Sequence, residues 1–219
     1  MLFRRLLGAA LLVSSAACTP ESKRWLVDDP RALHGAHTLV LGEPRLGESP
    51  LGPALCFDGD DGLIADLNPL QGLEAFTLEV LARIDAVGDP AHSEPRFVHI
   101  ESAEGLRATV EARVTSTQFF VDTHLHTNSD KLTLANSASL HPVGRWNWIA
   151  LSYAEGHMRH FVDAVEDGHG DVPFRPMGAG KMSLGVRQNR VHYFQGCIRE
   201  LRVSPRALPA EQLQRAHGG

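Results

Sequence analysis

Three side chains at alternate positions of one short run have the chemistry of metal ligands. Asp122, His124 and His126 lie in the run DTHLH, and alternation along a β-strand would place all three on one face. Imidazole nitrogens and carboxylate oxygens bind zinc and related transition metals. A complete site needs ligands from another strand, and a solvated polar strand explains the same pattern, so the run is a weak metal candidate. We expect four other histidines to lie at the surface: His157, His160, His169 and His192.

A second group of side chains has the chemistry of sugar recognition. Sugar sites combine an aromatic ring with planar polar groups, and residues 185–194 offer both between two predicted strands. Loops at the end of a rigid scaffold often carry binding function. Two further candidates come from outward positions of predicted strands, and the alternative is that the segment forms only a polar connection. The candidate ligand-binding residues are Arg187, Asn189, Tyr193, Asp122 and Arg113.

Aspartates gather in two predicted turns, at residues 58–61 and 163–167. Calcium prefers several oxygen ligands from loops, so calcium is the cofactor that these turns leave open. The twelve-residue calcium-loop pattern is absent, and aspartates commonly stabilise a turn by bonding to its own backbone. We favour this turn-forming role for the five carboxylates, which are Asp58, Asp60, Asp61, Asp163 and Asp167.

The composition limits the class of protein. The chain has 219 residues with 26 acidic and 21 basic side chains, a net charge of −5, and 43% hydrophobic residues. An acidic chain has no electrostatic attraction to a phosphate backbone, so we expect no nucleic-acid partner. The apolar content excludes disorder of the whole chain. Three cysteines are too few for a disulfide scaffold, and 20 glycines with 13 prolines indicate many turns.

The chain begins with a segment that resembles an export signal. Arg4 and Arg5 precede an apolar run at residues 6–13, and small residues lead to Cys18. The apolar run is too short to span a bilayer as a helix. A cysteine directly after two alanines resembles a bacterial lipoprotein signal, in which the signal is cleaved and the cysteine is lipidated. Residues 1–17 are then the signal peptide.

The resemblance implies an exported protein anchored to a membrane only through lipid on Cys18. Residues 18–34 would form the tether. The residue directly after the cysteine is Thr19 rather than aspartate. In Gram-negative lipoproteins this favours the outer membrane, so we expect a lipoprotein of the outer membrane or one that faces the periplasm. Ser15 occupies a position where the motif usually has leucine, so a plain secretory signal and a secreted protein remain the alternative.

The rest of the chain has the pattern of an all-β protein. About ten short apolar segments are separated by turn residues, which is typical of a two-sheet antiparallel sandwich or jelly roll. We expect residues 41–53 to be irregular, one domain over residues 35–216, and a short C-terminal helix after Pro209. The predicted strands are residues 54–57, 76–84, 96–100, 107–114, 118–125, 131–135, 146–154, 157–165, 181–186 and 197–203.

Five of these segments, in order, resemble the laminin-G-like jelly roll of the concanavalin A-like lectin/glucanase superfamily. They read ALCFDG from residue 54, FTLEV from 76, GRWNWIAL from 144, FVDA from 161 and FQGCIRELRV from 194. The resemblance implies two face-to-face antiparallel sheets. It also implies binding of glycan or of an extracellular or envelope protein, sometimes through calcium, and polysaccharide hydrolysis in some members. Trp148 and Ala164 replace the histidine and turn glycine usual in two of these segments.

We expect binding rather than catalysis, and therefore no catalytic residues. Laminarinase-type members of this superfamily carry their carboxyls on one strand as E-x-D-x-x-E, and this chain has no E-x-D at all. The alternatives are a polysaccharide-degrading enzyme with an unrecognised carboxylate pair and a structural adhesion component of the envelope. A facing Asp/Glu pair on the concave sheet would favour the enzyme. An aromatic-lined groove without such a pair would favour glycan binding.

The resemblance also bears on Cys56 and Cys197. The first and last strands of such domains lie side by side, and Leu55, Phe57 and Ile198 should face the core, which leaves both cysteines on the outer face. An exported protein favours a disulfide where geometry allows. The bridge would contribute on the order of 4 kcal/mol in the chain-entropy model. Two unpaired thiols in shifted register are the alternative.

Overall fold

The computed structural model describes residues 21–216 and shows two eight-stranded antiparallel sheets. Sheet A has the order β14-β13-β12-β6-β16-β4-β3, with β1 also paired to β16. Sheet B has the order β10-β9-β8-β7-β15-β5-β2, with β11 also paired to β9. The strands are β1 (Lys23–Leu26), β2 (Thr38–Leu41), β3 (Arg45–Ser49), β4 (Gly52–Asp58), β5 (Gly62–Ala65), β6 (Phe76–Ile84), β7 (Arg96–Ser102), β8 (Arg107–Val114), β9 (Gln118–His126), β10 (Lys131–Ala135), β11 (His141–Pro142), β12 (Trp146–Ala154), β13 (His157–Val162), β14 (Val165–Asp171), β15 (Gly180–Leu184) and β16 (Gln195–Ser204).

The core lies between the inner faces of the two sheets, as the alternating pattern predicts. Along β6, Leu78, Val80 and Ala82 belong to this core. The residues between them are also buried, including Glu79. Glu79 contacts the C-terminal segment, which crosses the outer face of sheet A, and the Gln214 amide donates to the Glu79 carboxylate at 2.7 Å.

The C-terminal segment is not the helix that the sequence suggested. It contains one 3₁₀ turn, Ala210–Gln212, with extended backbone on both sides. Pro209 does begin the turn, but Leu213 is extended and packs with Leu208 against the outer face of sheet A. Burial of these two leucines, rather than helical periodicity, holds the segment in place.

The structure differs from the sequence prediction in three further regions. Residues 23–26, within the expected tether, form β1 and bury Trp25. Residues 45–49, within the stretch expected to be irregular, form β3 on the edge of sheet A. The predicted strand at 157–165 is two strands, because Asp163 and Ala164 both adopt positive φ and turn the chain between β13 and β14.

The first and last core strands are neighbours, and a disulfide joins them. Cys56 on β4 lies directly opposite Cys197 on β16, and their sulfurs are bonded at 2.02 Å. Leu55, Phe57 and Ile198 are buried in the core, as expected. The predicted bridge is confirmed. Within residues 21–216, no helix is long and apolar enough to cross a membrane. Cys18 and the predicted signal lie outside the described residues.

Candidate binding site on the outer face of sheet B

The outer face of sheet B carries a depression surrounded by charged side chains. Alternation along β8 sends Ala108, Val110 and Ala112 into the core, so the residues between them point outward. The same parity on β9 turns Asp122 outward, and the cavity between these rows has a volume of about 170 Å³. Its lining residues are Arg96, Arg107, Thr109, Glu111, Arg113, Asp122, His124, Thr133 and Arg187.

Two buried carboxylates face each other at the base of the depression. Glu111 on β8 lies directly opposite Asp122 on β9. Glu111 accepts a hydrogen bond from the Thr109 hydroxyl at 2.8 Å and is paired with Arg96 at 3.1 Å. Arg113 holds the Oδ2 atom of Asp122 at 2.6 Å. Each carboxylate is therefore neutralised by its own arginine, while Asp122 Oδ1 has no hydrogen-bond partner among the described residues.

Burial shifts the pKa of both carboxylates. It raises the pKa of Glu111 and of Asp122 above their usual values, and the neighbouring guanidinium groups of Arg96 and Arg113 partly offset this rise. Two like charges side by side also disfavour ionisation of each other. A facing pair of Asp and Glu is part of the arrangement that would favour an enzyme, and here Glu111 and Asp122 form such a pair on the outer face of sheet B.

Two histidines in the same region have lowered pKa values. His99 is 1% exposed, and burial together with the charges of Arg107 and Arg187 lowers its pKa to about 3. Burial and the charge of Arg107 lower the pKa of His124 to about 4. Both imidazoles are therefore neutral near pH 7, and the positive charge of the depression comes from arginine.

The segment at 185–194 brings Arg187 to this face. Gly185 has a φ of +76°, and an added Cβ would meet the Phe57 ring at 2.5 Å, so only glycine fits where the chain leaves β15. The Arg187 amide then donates to the Val191 carbonyl at 3.1 Å, and the Gln188 side chain donates to the Lys181 carbonyl at 2.8 Å. These contacts fix the segment against sheet B.

The structure brings three of the five predicted ligand-binding residues close together. Arg113, Asp122 and Arg187 line one depression, although they come from three separate segments. Asn189 is exposed and Tyr193 is half-buried, and neither of them lines it. Arg96, Arg107 and Glu111 were missed by the sequence analysis. The sequence did contain a pattern that could have identified them, because each is a charged residue at an outward position of a predicted strand.

The predicted metal residues lie on one face but do not form a cluster. The His124 and His126 rings stack at 6.1 Å, and Asp122 is paired with Arg113. The Nδ1 atom of His124 lies 2.8 Å from the Thr133 hydroxyl. Among residues 21–216, the three-residue group with ligand atoms close enough to share an ion is Asp58, Asp60 and Asp61.

The predicted aspartate turns have mainly structural contacts. Asp61 is buried and accepts backbone N–H groups from Glu43 and Asp58, which is a turn-forming role. Asp163 Oδ1 accepts the Trp148 amide at 2.9 Å and the Ala216 amide at 2.9 Å, so this carboxylate fastens the C-terminal segment.

The other side chains singled out in the sequence lie elsewhere. Trp146 and Trp148 share the outer face of sheet A, under Arg83 and Arg202 respectively. Asp167 is bound by the Ser139 hydroxyl at 2.8 Å and the His141 ring at 2.7 Å. His160, expected at the surface, is fully buried. Its Nδ1 atom lies 3.0 Å from the Thr123 hydroxyl of the facing sheet.

Comparison with solved structures gives the same fold. The receptor-binding domain of botulinum neurotoxin type G superposes with a TM-score of 0.60 at 10% identity, over 86% of this chain and 48% of that chain. The binding domain of botulinum neurotoxin DC, solved in complex with SialylT, has a TM-score of 0.55 at 14% identity, over 87% and 49%. This chain therefore spans about half the length of the toxin domains.

A further similar structure matches over most of both chains. Domain 4 of AbnA, an extracellular arabinanase from Geobacillus stearothermophilus in complex with arabinotriose, has a TM-score of 0.55 at 15% identity, over 82% of this chain and 87% of that chain. No curated protein matches this sequence. Residues 57–214 match the Laminin_G_3 family, described as the concanavalin A-like lectin/glucanases superfamily. Because the match covers well over half of the 219 residues, the chain belongs to this family.

Proposed function

We propose that this protein is a non-catalytic binding domain that recognises glycan through the depression on the outer face of sheet B. The observation that carries the proposal is the meeting of Arg113, Asp122 and Arg187 from separate segments in one depression on a rigid sheet. Similar structures include domains solved with SialylT and with arabinotriose. A volume of about 170 Å³ is below the usual range for a whole drug-sized ligand, which suits one residue of a longer chain.

The charges favour a sugar that bears a carboxylate. Arg96 and Arg113 are committed to buried carboxylates, whereas no ion pair among residues 21–216 engages Arg187. Arg107 is held only at 3.5 Å by Glu101. A guanidinium group binds a carboxylate with two parallel hydrogen bonds, so Arg187 and Arg107 are the groups expected to receive an acidic sugar.

A glycan array of neutral, carboxylated and sulfated oligosaccharides tests the proposal, with calcium and with a chelator. We expect retention of carboxylated glycans in both conditions, and weaker retention as sodium chloride is raised, because salt screens the partly exposed arginines. Absence of retention in both conditions would contradict glycan binding. Retention that requires calcium would indicate that the glycan binds near the Asp58 turn and not at the arginines.

One observation favours a second function, polysaccharide hydrolysis, since Glu111 and Asp122 are a facing pair. A glycosidase needs one carboxyl as acid and a second as nucleophile or base, both within reach of the substrate. Here both groups are buried and bound by arginine, so we favour binding. Reducing-end assays on any retained glycan separate the functions. Hydrolysis that is lost in Glu111→Gln and Asp122→Asn would establish the enzyme.

We also propose that the protein is exported and anchored by lipid on Cys18. The support is the order of charged, apolar and small residues before this cysteine. Metabolic labelling with palmitate in a bacterial host should label the protein, and Cys18→Ser should abolish the label. Labelling that persists in the variant would exclude Cys18 as the anchor, and absence of label in the wild type would indicate a plain secretory signal.

A further inference from the structure

A second and larger cavity lies at one end of the sandwich, away from the depression on sheet B. It has a volume of about 660 Å³, within the range of small-ligand sites. Three segments enclose it: the β9–β10 turn at residues 127–130, the β12–β13 turn at 155–157, and the chain at 171–175 that runs from sheet A toward sheet B. None of the predicted ligand-binding residues belongs to it. We call it the end cleft.

The floor of the end cleft is aromatic and held in place. Tyr153 is buried, and its hydroxyl accepts the Phe174 amide at 2.9 Å and lies 3.2 Å from the Val172 carbonyl. The Phe174 ring contacts Tyr153 edge-on, with centroids 5.5 Å apart, and also contacts Phe76 at 6.2 Å. Phe174 therefore presents a half-buried ring whose position is fixed by the core beneath it.

The rim of the end cleft is polar and rich in hydrogen-bond acceptors. Asn128, Asp130, Glu155 and Asp171 line it and are exposed. Their carboxylate and amide oxygens accept hydrogen bonds from hydroxyl groups, and a hydroxyl bound to a carboxylate makes one of the stronger hydrogen bonds in proteins. An apolar ring below and several acceptors around it match a molecule with one apolar face and many hydroxyl groups.

The charge of the end cleft selects against anions. Three carboxylates line it against one guanidinium, that of Arg175, and one imidazole, that of His157, whose Nδ1 atom lies 2.7 Å from Asp171 Oδ1. The pKa of Glu104 is lowered mainly by a hydrogen bond with the Ser102 side chain, and the charge of Arg175 adds to this shift, so Arg175 also acts outside the cleft. An acidic sugar would meet repulsion here, whereas the arginines on sheet B attract it. The two cavities therefore favour ligands of different charge.

We propose that the end cleft is a second carbohydrate site, which binds a neutral sugar residue stacked on Phe174 with its hydroxyl groups bound by Asp130 and Asp171. The site is aromatic-lined and contains no facing pair of buried carboxylates, in contrast to the depression on sheet B. It does not depend on the acidic-sugar site, because the two share no lining residue.

Isothermal titration calorimetry of the intact protein with neutral oligosaccharides tests this site. Arabinotriose, a cellulose trisaccharide and a galactose-containing trisaccharide are the probes. We expect at least one to bind, and Asp130→Ala and Asp171→Ala each to weaken its Kd about tenfold. Both carboxylates are exposed, so these variants keep the fold. Phe174→Ala should abolish binding, and its thermal unfolding midpoint shows whether the fold survives.

Two variants outside the cleft serve as controls. Arg187→Ala alters the depression on sheet B, and Asn189→Ala alters an exposed residue that lines neither cavity. Both should leave the Kd for the neutral sugar within twofold of wild type. Absence of binding by every probe at millimolar concentration overturns the proposal. So does binding that responds to Arg187→Ala but not to the cleft variants, which would place neutral sugars on sheet B instead.

Discussion

At the scale of single residues, burial controls the ionisation of the polar groups inside this sandwich. His160 projects between the sheets with Met158 and Val162 on the same face of β13, and it contacts Thr123 of the facing sheet. Burial lowers its pKa, although the nearby Asp167 charge opposes the change. The folded protein therefore holds this imidazole neutral over a wider pH range than the unfolded chain does.

The first prediction concerns acid stability. The unfolded chain protonates His160 near pH 6.5. Below that pH the unfolded state binds more protons than the folded state, so the free energy of unfolding falls as the pH decreases. At pH 5 the loss from this residue reaches about 2 kcal/mol at most. Urea unfolding between pH 7.5 and 5 should show a smaller pH dependence in His160→Gln than in wild type.

The comparison between wild type and His160→Gln isolates the contribution of His160 to the pH dependence of stability. Buried carboxyls with raised pKa, such as Glu79 and Glu111, act in the opposite sense and stabilise the fold at low pH, but they are common to both proteins. The exposed His157 on the same strand provides the matched control, His157→Gln. Equal pH dependence in wild type and His160→Gln would show that protonation of the buried imidazole does not contribute to the pH dependence of stability.

At the scale of elements, sheet A is stabilised by two different kinds of contact, a disulfide and the packing of the C-terminal segment. Strands β4 and β16 are joined covalently through Cys56 and Cys197, which are 141 residues apart. The chain after β16 is fastened by side chains: Leu208 and Leu213 pack on Ala150 and Phe161, and three backbone amides donate to buried or partly buried acceptors. The disulfide links two neighbouring strands inside sheet A, and the C-terminal segment covers part of the outer face of the same sheet.

Removal of the disulfide should destabilise the fold without changing it. A bridge that closes so long a loop restricts the unfolded chain, and its loss typically costs about 2–5 kcal/mol. We predict that Cys56→Ala with Cys197→Ala lowers the free energy of unfolding by about 4 kcal/mol. The measurement is chemical unfolding under non-reducing conditions, with wild type plus reductant as the companion sample. A change below about 1 kcal/mol would contradict the predicted contribution.

The C-terminal segment gives a second prediction at this scale. Leu213 is 6% exposed and packs on Phe161. Leu213→Ala should cost about 2 kcal/mol, because the segment can partly collapse onto the space left behind. Thermal unfolding measures the loss, and the exposed Glu211→Ala serves as the matched control in the same turn. A midpoint equal to that of wild type would show that the segment does not stabilise sheet A.

Elements with strong alternation were predictable, and those defined by tertiary contacts were not. Strands β6, β8, β10 and β12 have the bounds that the pattern indicated. Edge strand β3 was missed because Gly and Pro suggested a loop, and β1 because its only buried residue is Trp25. The predicted helix failed because Leu213 contacts sheet A in an extended conformation, which local propensity does not reveal.

At the scale of the whole molecule, the outer faces of the two sheets differ in how far they are covered. The C-terminal segment covers part of the outer face of sheet A, whereas the outer face of sheet B and the end cleft remain open. Parity alone indicated that Arg113 and Asp122 point outward. The meeting of Arg187 with them could not be predicted, because it depends on the course of the chain after Gly185.

Calorimetric titration of a carboxylated oligosaccharide into wild type and Arg187→Ala tests glycan binding on sheet B most directly. Arg187 lines the depression and has no ion pair among the described residues, so its removal should not disturb the buried pairs beneath it. We predict that Arg187→Ala weakens the Kd at least tenfold, while the exposed Asn189→Ala leaves it within twofold. Equal affinity in wild type and Arg187→Ala would contradict binding at this depression.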